Sequence, residues 1–277
     1  MMVLEAARVI SGACDCRLHH VIDSALEIVQ NSEMINRRFK EKGTGMQLNM
    51  RRPNGTIVKV ALTTALADTE TRQSIEEIAR ATYSNAAVLL EQEYKKNNEV
   101  YLFREDGTVL GFFMVGWSRV PGMEGSTVFL GLSCVSAGLR GRGTGKVLYQ
   151  AFLDDARLRH ALTKEPIVWW AHTATPAAVN GFFRLAEGFS PRPDGSHQMS
   201  HLAHLDRIES HYGITPYRCE THPFVLRGYA KARYAEEEVG RIKTFKEGDG
   251  YDGLLARFHI DETAGDRLML VGHISTS

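Results

Sequence analysis

Cysteine is scarce in this sequence, which has 277 residues and only four cysteines. Four cysteines are too few to cross-link a chain of this length, so we expect a reducing, cytoplasmic setting. No apolar run approaches the roughly 18–20 residues that cross a bilayer. The stretch from Met1 to Arg17 interrupts its apolar runs with charges and does not resemble a secretory signal, and we therefore expect no membrane partner.

An excess of charge of one sign is also absent. The sequence has 33 basic and 33 acidic residues, so no overall field favours nucleic acid or an anionic membrane. The remaining composition is that of an ordinary globular protein, with 43% hydrophobic and 24% charged residues. These values exclude a disordered, collagen-like or coiled-coil chain, and the length fits one large domain or two modest ones.

The hydrophobic periodicity divides most of the chain into short helices and strands. It predicts an amphipathic helix over 18–42 and a hairpin over 46–66, with Asn54-Gly55 in its turn. The elements predicted next are helices at 68–83 and 85–96, strands at 100–103, 109–117 and 127–135, a helix at 143–157, a strand at 167–172 and a helix at 176–188. This order predicts an α/β fold in which helices cover a mixed sheet.

The C-terminal part has a weaker pattern. Helical spacings recur over 201–246, and 254–260 and 267–274 are predicted to pair as a final hairpin. We therefore expect a helix-hairpin extension at 1–55, a core at 56–200 and a C-terminal elaboration packed on the core at 201–277.

A glycine-rich turn lies between the strand that ends at Val135 and the following helix. It reads Ser-Ala-Gly-Leu-Arg-Gly-Arg-Gly-Thr-Gly-Lys from Ser136 to Lys146. Glycines let backbone N–H groups close on an anion, and the start of a helix adds partial positive charge at the same point. Arg140 and Arg142 add full charges. The turn therefore predicts a site for a pyrophosphate.

Two common phosphate loops do not fit this turn. A Walker loop needs Ser or Thr after its Gly-Lys pair, and here Val147 follows Gly145-Lys146. Gly141 and Gly143 match the first two glycines of a dinucleotide-binding fingerprint, but Lys146 occupies the position of the third glycine or alanine.

The turn resembles the acyl-CoA-binding signature of the GNAT N-acyltransferase superfamily, Gln/Arg-x-x-Gly-x-Gly/Ala. Here the signature reads Arg140-x-x-Gly143-x-Gly145, and it joins a strand to a helix as it does in that family. The segment 180–189, with its asparagine and closing Gly-Phe, is similar to the family's following helix. The resemblance covers about residues 56–200.

This resemblance implies a GNAT-like mixed, mostly antiparallel central sheet flanked by helices, and acetyl-CoA or another acyl-CoA as co-substrate. The pyrophosphate would lie on the turn. The pantetheine arm would pair with the preceding strand like a missing strand, where that strand and the next splay apart. The cofactor-binding residues implied are Ser133, Cys134, Val135, Arg140, Gly141, Arg142, Gly143, Thr144, Gly145, Lys146, Asn180 and Phe183.

Two catalytic positions depart from the family pattern. The strand 128–135 has no glutamate to act as base, and Arg184 stands where many members have a tyrosine that protonates the thiol. We predict that His172, at the end of the next strand, is the base, since an unperturbed pKa near 6.5 suits that role. The alternative is a structural histidine. Cys134 is either a nucleophile or an inert core residue, and its apolar strand favours the core.

Two further groups of residues leave alternatives open. A helical face of histidines fits either a metal site or a polar surface, and we predict no metal. A basic segment at 37–59 could bind nucleic acid, although we favour a solvated surface. The histidines are His197, His201, His204 and His211, and the basic residues are Arg37, Arg38, Lys40, Lys42, Arg51, Arg52 and Lys59.

The motifs together predict an enzyme that transfers an acetyl or other acyl group from CoA to the primary amine of a small molecule or peptide. One alternative is modification of a nucleic-acid base or a tRNA-linked amine. Another is a module that binds CoA without turnover. The interpretation is compatible with a homodimer, and it leaves the acceptor and the acyl length open.

Overall fold

The computed structural model of this protein describes residues 48–52, 55–183, 188–239 and 253–274. The predicted helix at 18–42 lies outside these ranges, so it stays a prediction. The predicted hairpin is confirmed by β1 (Leu48–Arg52), which pairs antiparallel with β2 (Gly55–Ala61).

Helix α1 was not predicted, and the eight elements that come after it follow the predicted order. Helix α4 is longer than expected and continues to Thr163, and the described part of α5 ends at Phe183. The elements are α1 (Leu62–Ala67), α2 (Thr69–Arg80), α3 (Ala86–Lys96), β3 (Glu99–Glu105), β4 (Thr108–Ser118), β5 (Ser126–Val135), α4 (Thr144–Thr163), β6 (Ile167–Thr173) and α5 (Pro176–Phe183).

The C-terminal part differs from the sequence prediction. It contains β7 (Phe189–Ser190), α6 (Met199–Tyr212), β8 (Val225–Leu226), α7 (Gly253–Arg257) and β9 (Arg267–His273). Gly213 caps the C-terminus of helix α6 with a left-handed φ of 66°, so this helix does not continue along the predicted helical spacing.

The predicted final hairpin is wrong. Residues 253–257 form a helix, and β9 pairs instead with β6, β7 and β8. The physical reason is burial, because nearly every residue of β9 is buried and such a strand needs a neighbour on both sides.

The strands form one sheet in the order β1-β2-β3-β4-β5-β6-β9-β7, and β8 also pairs with β9. Among the described strands, β5 and β6 form the one parallel pair. The predicted mixed, mostly antiparallel sheet flanked by helices is therefore confirmed. Strand β9 brings the C-terminal segment next to β6 in the centre of the sheet, whereas the division into three domains stays a prediction.

Side chains alternate across the sheet and build a core on each face. On β3 and β4, Val100 and Phe112 pack with residues of α1, α2 and α3, whereas Tyr101 and Phe113 pack with residues of α4. None of the helices in the described ranges is both long and apolar enough to cross a membrane.

A buried ionic network ties the first strands to α4. Lys59 is 4% exposed and donates to both carboxylate oxygens of Asp155 at 3.0 Å. Asp155 also accepts from the Tyr101 hydroxyl at 2.9 Å and from Arg159 Nε at 3.0 Å. This pairing corrects one expectation, since Lys59 cannot contribute to a nucleic-acid surface. Residues 37–42 of the basic segment lie outside the described ranges.

We expect Asp155→Asn to lower the free energy of unfolding by about 3 kcal/mol, because it leaves the buried Lys59 ammonium with only the more distant carboxylate of Glu99, at 3.9 Å. Urea denaturation of the purified variant measures this loss. Asp154→Asn is the matched control, since its side chain is exposed and bonds Gln150, and its effect should stay within about 0.5 kcal/mol. Equal losses in the two variants would contradict a structural role for the network.

Candidate active site

The parallel pairing of β5 with β6 stops part-way along both strands. It joins Ser126–Leu130 to Ile167–Ala171 and goes no further. Strand β5 continues to Val135, where it pairs with β4 alone among the described strands. The predicted splay between these two strands is therefore present, and it leaves one edge of residues 131–135 without a strand partner.

A bulge marks the point where the strands separate. Phe113 pairs with Ser133 and Val115 with Leu130, so two residues of β5 oppose the single Met114. The first residue of the bulge is Gly131. A Cβ atom there would lie 2.5 Å from Asn97 Oδ1 and 2.7 Å from Glu93 Oε2, so any larger residue would displace α3.

Glu93 brings a carboxylate to this point from α3. It is 3% exposed, and its Oε2 accepts from the Leu132 N–H at 3.0 Å and from Asn97 Nδ2 at 3.0 Å. Burial raises the pKa of Glu93. The sequence analysis missed this residue because it searched only the strand. The available signal was spacing, since Glu93 follows Ala86 and Leu90 on the buried face of α3.

The glycine-rich turn has the backbone geometry that an anion site requires. Gly141 and Gly143 have φ angles of 77° and 83°, which glycine adopts readily, and Gly143 precedes the first residue of α4. Within the described ranges, five amide N–H groups of the turn have no acceptor, and they belong to Gly141, Gly143, Thr144, Gly145 and Lys146. These amides and the dipole of a 20-residue helix favour negative charge here.

The arginines of the turn differ in their surroundings. Arg140 pairs with the buried Glu238 and donates to Thr82 Oγ1 at 3.1 Å, so its side chain holds the turn in place. Arg142 and Lys146 are exposed, and they supply the free positive charge around the amides.

A cavity of about 680 Å³ lies between the turn, β5 and α5. It brings together ten of the predicted cofactor residues, and Gly181 and Tyr149 also line it. Of the other two, Arg142 does not line the cavity, and Phe183 is the last residue of α5, with a side chain outside the described residues. The ten are Ser133, Cys134, Val135, Arg140, Gly141, Gly143, Thr144, Gly145, Lys146 and Asn180.

Cys134 packs into the core formed with α1, α2 and α3. Burial raises the pKa of its thiol to about 12, so the thiol keeps its proton at neutral pH. The thiolate is the nucleophilic form of cysteine. This environment therefore favours the interpretation of Cys134 as an inert core residue and not as a nucleophile.

A second, smaller cavity of about 110 Å³ lies on the other side of the splay, around His172. The two cavities share part of their walls, so they meet where β5 and β6 separate. The shared residues are Tyr83, Ser133, Tyr149, Thr175, Ala178 and Tyr234.

His172 is partly buried, and its Nε2 has no hydrogen-bond partner in the described part of the chain. Its ring lies 5.2 Å from that of Phe129 and 5.1 Å from that of Tyr229. Burial, with the positive charges of Lys96 and Arg267, lowers the pKa of His172 well below its ordinary value of 6.5. The imidazole is therefore neutral at neutral pH and has a nitrogen available.

Tyrosine hydroxyls surround the junction of the cavities. Burial raises the pKa of Tyr149 to about 12, and burial also raises the pKa of Tyr234. These phenols therefore keep their protons at neutral pH. Arg184, which replaces the tyrosine of many GNAT members, lies outside the described residues.

The predicted histidine face separates into different environments. His201 is fully buried, with Nδ1 2.9 Å from Ser190 Oγ and Nε2 3.1 Å from His273 Nδ1. Burial lowers the pKa of His201 to about 4. No group of three or more metal-ligating side chains with metal-site geometry occurs in the described ranges. His201 is thus part of a hydrogen-bonded polar core, whereas His197 and His211 are exposed.

Residues 65–186 match the model of the acetyltransferase (GNAT) family. They form a GNAT acetyltransferase domain. This stretch contains the glycine-rich turn, the splay, Glu93 and His172, whereas β9 lies outside it.

Several solved structures are similar to this chain. The ribosomal-protein-S18-alanine N-acetyltransferase from Escherichia coli is 11% identical with a TM-score of 0.41, covering 80% of this chain and 96% of its own. The NatC complex bound to Gag peptide and CoA is 15% identical with a TM-score of 0.39, covering 79% and 99%. The GNAT family N-acetyltransferase YhbS from Escherichia coli, in complex with CoA, is 17% identical with a TM-score of 0.35, covering 60% and 76%. These similarities are weak, since each of the three TM-scores is below 0.5. No curated protein matches the chain significantly.

The two described cysteines should differ in reactivity. The hydrogen bond with Thr221 lowers the pKa of Cys219 to about 7, and its side chain is partly exposed, whereas Cys134 is buried. We expect iodoacetamide at pH 7.5 to label Cys219 at least about 100-fold faster than Cys134 in the folded protein. Peptide mass spectrometry measures both rates. In urea the two rates should converge, and rapid labelling of folded Cys134 would restore it as a candidate nucleophile.

Proposed function

We propose that this GNAT domain transfers an acetyl group from acetyl-CoA to a primary amine. The observation that carries the proposal is the set of five unpaired amides at 141–146, which border a 680 Å³ cavity. That cavity leads along β5 to the splay, where it meets the smaller cavity around His172. A cofactor and an acceptor can therefore approach one point from opposite sides.

The turn would hold the CoA pyrophosphate. Its free amides would donate to the phosphate oxygens, and Arg142 and Lys146 would add charge at the rim. Arg140 and Glu238 would keep the turn in position rather than bind the anion. The pantetheine arm would pair with the free edge of Ser133–Val135, where an extended group can replace a strand.

The amine would enter the smaller cavity and attack the thioester carbonyl. A carbon–nitrogen bond forms, the carbon–sulfur bond breaks, and the thiolate of CoA leaves and takes up a proton. His172 would accept the proton that the amine loses, because its ring is neutral and its Nε2 is unpartnered. Most of the rate enhancement would come from holding the two reactants together.

Glu93 would act as a positioning residue. Its carboxylate accepts from the Leu132 N–H and so fixes the bulge in β5 beside the splay. It also lines the smaller cavity, which makes it the second candidate for the base.

Gly145 offers a test of the anion site, since its Cβ position is free of neighbours and its φ is not left-handed. We expect Gly145→Glu to bind CoA at least about tenfold more weakly than Gly145→Gln, because like charges a few ångströms apart repel by more than about 1.4 kcal/mol near a protein surface. Isothermal calorimetry with CoA measures both affinities. Gln has nearly the same size as Glu and controls for bulk. Equal affinities would remove the pyrophosphate from this turn.

His172→Gln should lower kcat by about 100-fold and leave the affinity for CoA unchanged. Because the pKa of His172 lies well below 6.5, the wild-type rate should stay level from pH 8 to 6.5 and fall only at lower pH, as the base becomes protonated. The pH dependence of kcat/KM measures this, with an acceptor amine whose own pKa lies below about 6, so that protonation of the acceptor does not add a second limb. Glu93→Gln is the comparison. If it abolishes the acid limb and His172→Gln does not, Glu93 is the base.

A further inference from the structure

Three cationic side chains line the small cavity around His172, of which Lys231 is exposed and the other two are more buried and have no ion-pair partner among the described residues. These two are Lys96, which is partly buried, and Arg267, which is 6% exposed. Neither lies within 4.0 Å of a carboxylate oxygen of any residue that the structure describes. The cavity therefore contains positive charge that the surrounding protein does not neutralise.

The ammonium of Lys96 is held by aromatic groups. Its Nζ donates to the Tyr229 hydroxyl and lies 5.0 Å from the centre of that ring. It also lies 5.8 Å from the centre of the Phe129 ring. The same two rings flank His172. Lys96 is thus a close neighbour of the proposed base.

The guanidinium of Arg267 reaches the cavity from the first residue of β9. It donates to the carbonyl oxygens of Asp266 at 2.6 Å and of Ala232 at 3.5 Å, and it lies 5.9 Å from the centre of the Tyr234 ring. A guanidinium has five N–H donors, so these two carbonyls leave capacity for a further acceptor.

Most other buried or partly buried cations of the described residues contact a carboxylate, whereas Arg104 and Arg233 bond hydroxyl or backbone oxygens instead. Lys59 contacts Asp155, Arg140 contacts Glu238, and Arg159 contacts both Asp155 and Glu99. Such pairing is expected, since removing a charge from water is costly unless an opposite charge replaces the water. Lys96 and Arg267 depart from this pattern, and they do so in the same cavity.

The one carboxylate among the described residues that line the cavity does not compensate for both cations. The charge of Lys96 acts on Glu93 and partly offsets the rise in its pKa that burial causes, but the two groups are not within ion-pair distance, and Glu93 Oε2 is engaged by Leu132 and Asn97. An occupant with its own negative charge would complete the site. The cavity measures only about 110 Å³, which favours a small molecule over a folded surface.

We propose that the acceptor is a small amine that also carries a carboxylate, as a free α-amino acid does. Lys96 and Arg267 would bind the carboxylate by charge-assisted hydrogen bonds, and the amine would face His172 and the thioester. A peptide N-terminus has no carboxylate beside its amine, so it would lack this contact. This inference rests on the proposed function and specifies the class of its acceptor.

The test compares each of the twenty amino acids with its own C-terminal amide as acceptor. Each pair shares its side chain and differs in the carboxylate, and because loss of the carboxylate also lowers the pKa of the amine, kcat/KM is compared per unprotonated amine. Release of free CoA thiol from acetyl-CoA measures turnover. We expect at least one amino acid to react with a kcat/KM at least about tenfold above that of its amide, and Lys96→Met to reduce this ratio at least about fivefold.

Lys95→Met is the matched control for Lys96→Met. Lys95 is the preceding residue of the same helix, its side chain is 71% exposed, and it pairs with Glu91, so the variant should keep the wild-type ratio. Arg267→Met should act like Lys96→Met. Because Arg267 is buried, CoA affinity is measured alongside to show that each variant remains folded.

Three outcomes would overturn the inference while leaving acetyl transfer intact. Acids and amides could react equally well, amides could be preferred, or Lys96→Met could slow acids and amides by the same factor. The last result would indicate that Lys96 interacts with the thioester and not with the carboxylate of the acceptor.

Calorimetry of amino acids against the CoA-saturated protein separates this inference from the proposed function. Binding that requires the carboxylate and is lost in Lys96→Met would support the anion site even if no amine is acetylated. An absence of both binding and turnover would refute it.

Discussion

The early end of the pairing between β5 and β6 is the constraint on which the rest of the site depends. Past Leu130 and Ala171 the two strands separate, and one edge of β5 keeps its backbone groups without a strand partner. Glu93 and Asn97 fill the bulge at Gly131 and so stabilise this opening from the side of α3. Both cavities exist because the sheet is interrupted at this point.

The two cavities differ in the source of their charge. On the side of the turn, backbone amides and a helix dipole favour an anion. The local backbone conformation of the turn and of the following helix determines where both of them point. On the side of His172, the charge comes from Lys96 and Arg267, neither of which has a carboxylate within ion-pair distance in the described part of the chain. Elsewhere, as at Lys59 and Asp155, buried charges are neutralised within the protein. The contrast distinguishes groups that maintain the fold from groups available to ligands.

Apart from the short helix α1, the order of elements up to α5 could be predicted from periodicity, because each of these helices and strands carries its apolar pattern within its own segment. The C-terminal part could not. Strand β9 is buried by β6, a partner about 100 residues earlier in the sequence. The local pattern of 254–260 and 267–274 suggested a hairpin, but β9 pairs instead with three strands of the sheet, β6, β7 and β8.

The sequence by itself determined the glycine-rich turn, because left-handed glycines and the free amides at the start of a helix are properties of one short segment. It also placed His172 at the end of a strand. Only the tertiary structure decided what surrounds that histidine, since Glu93, Lys96, Tyr229 and Arg267 come from segments far apart in the chain. The pairing of Arg140 with Glu238 was likewise decided by packing, and no local pattern could have revealed it.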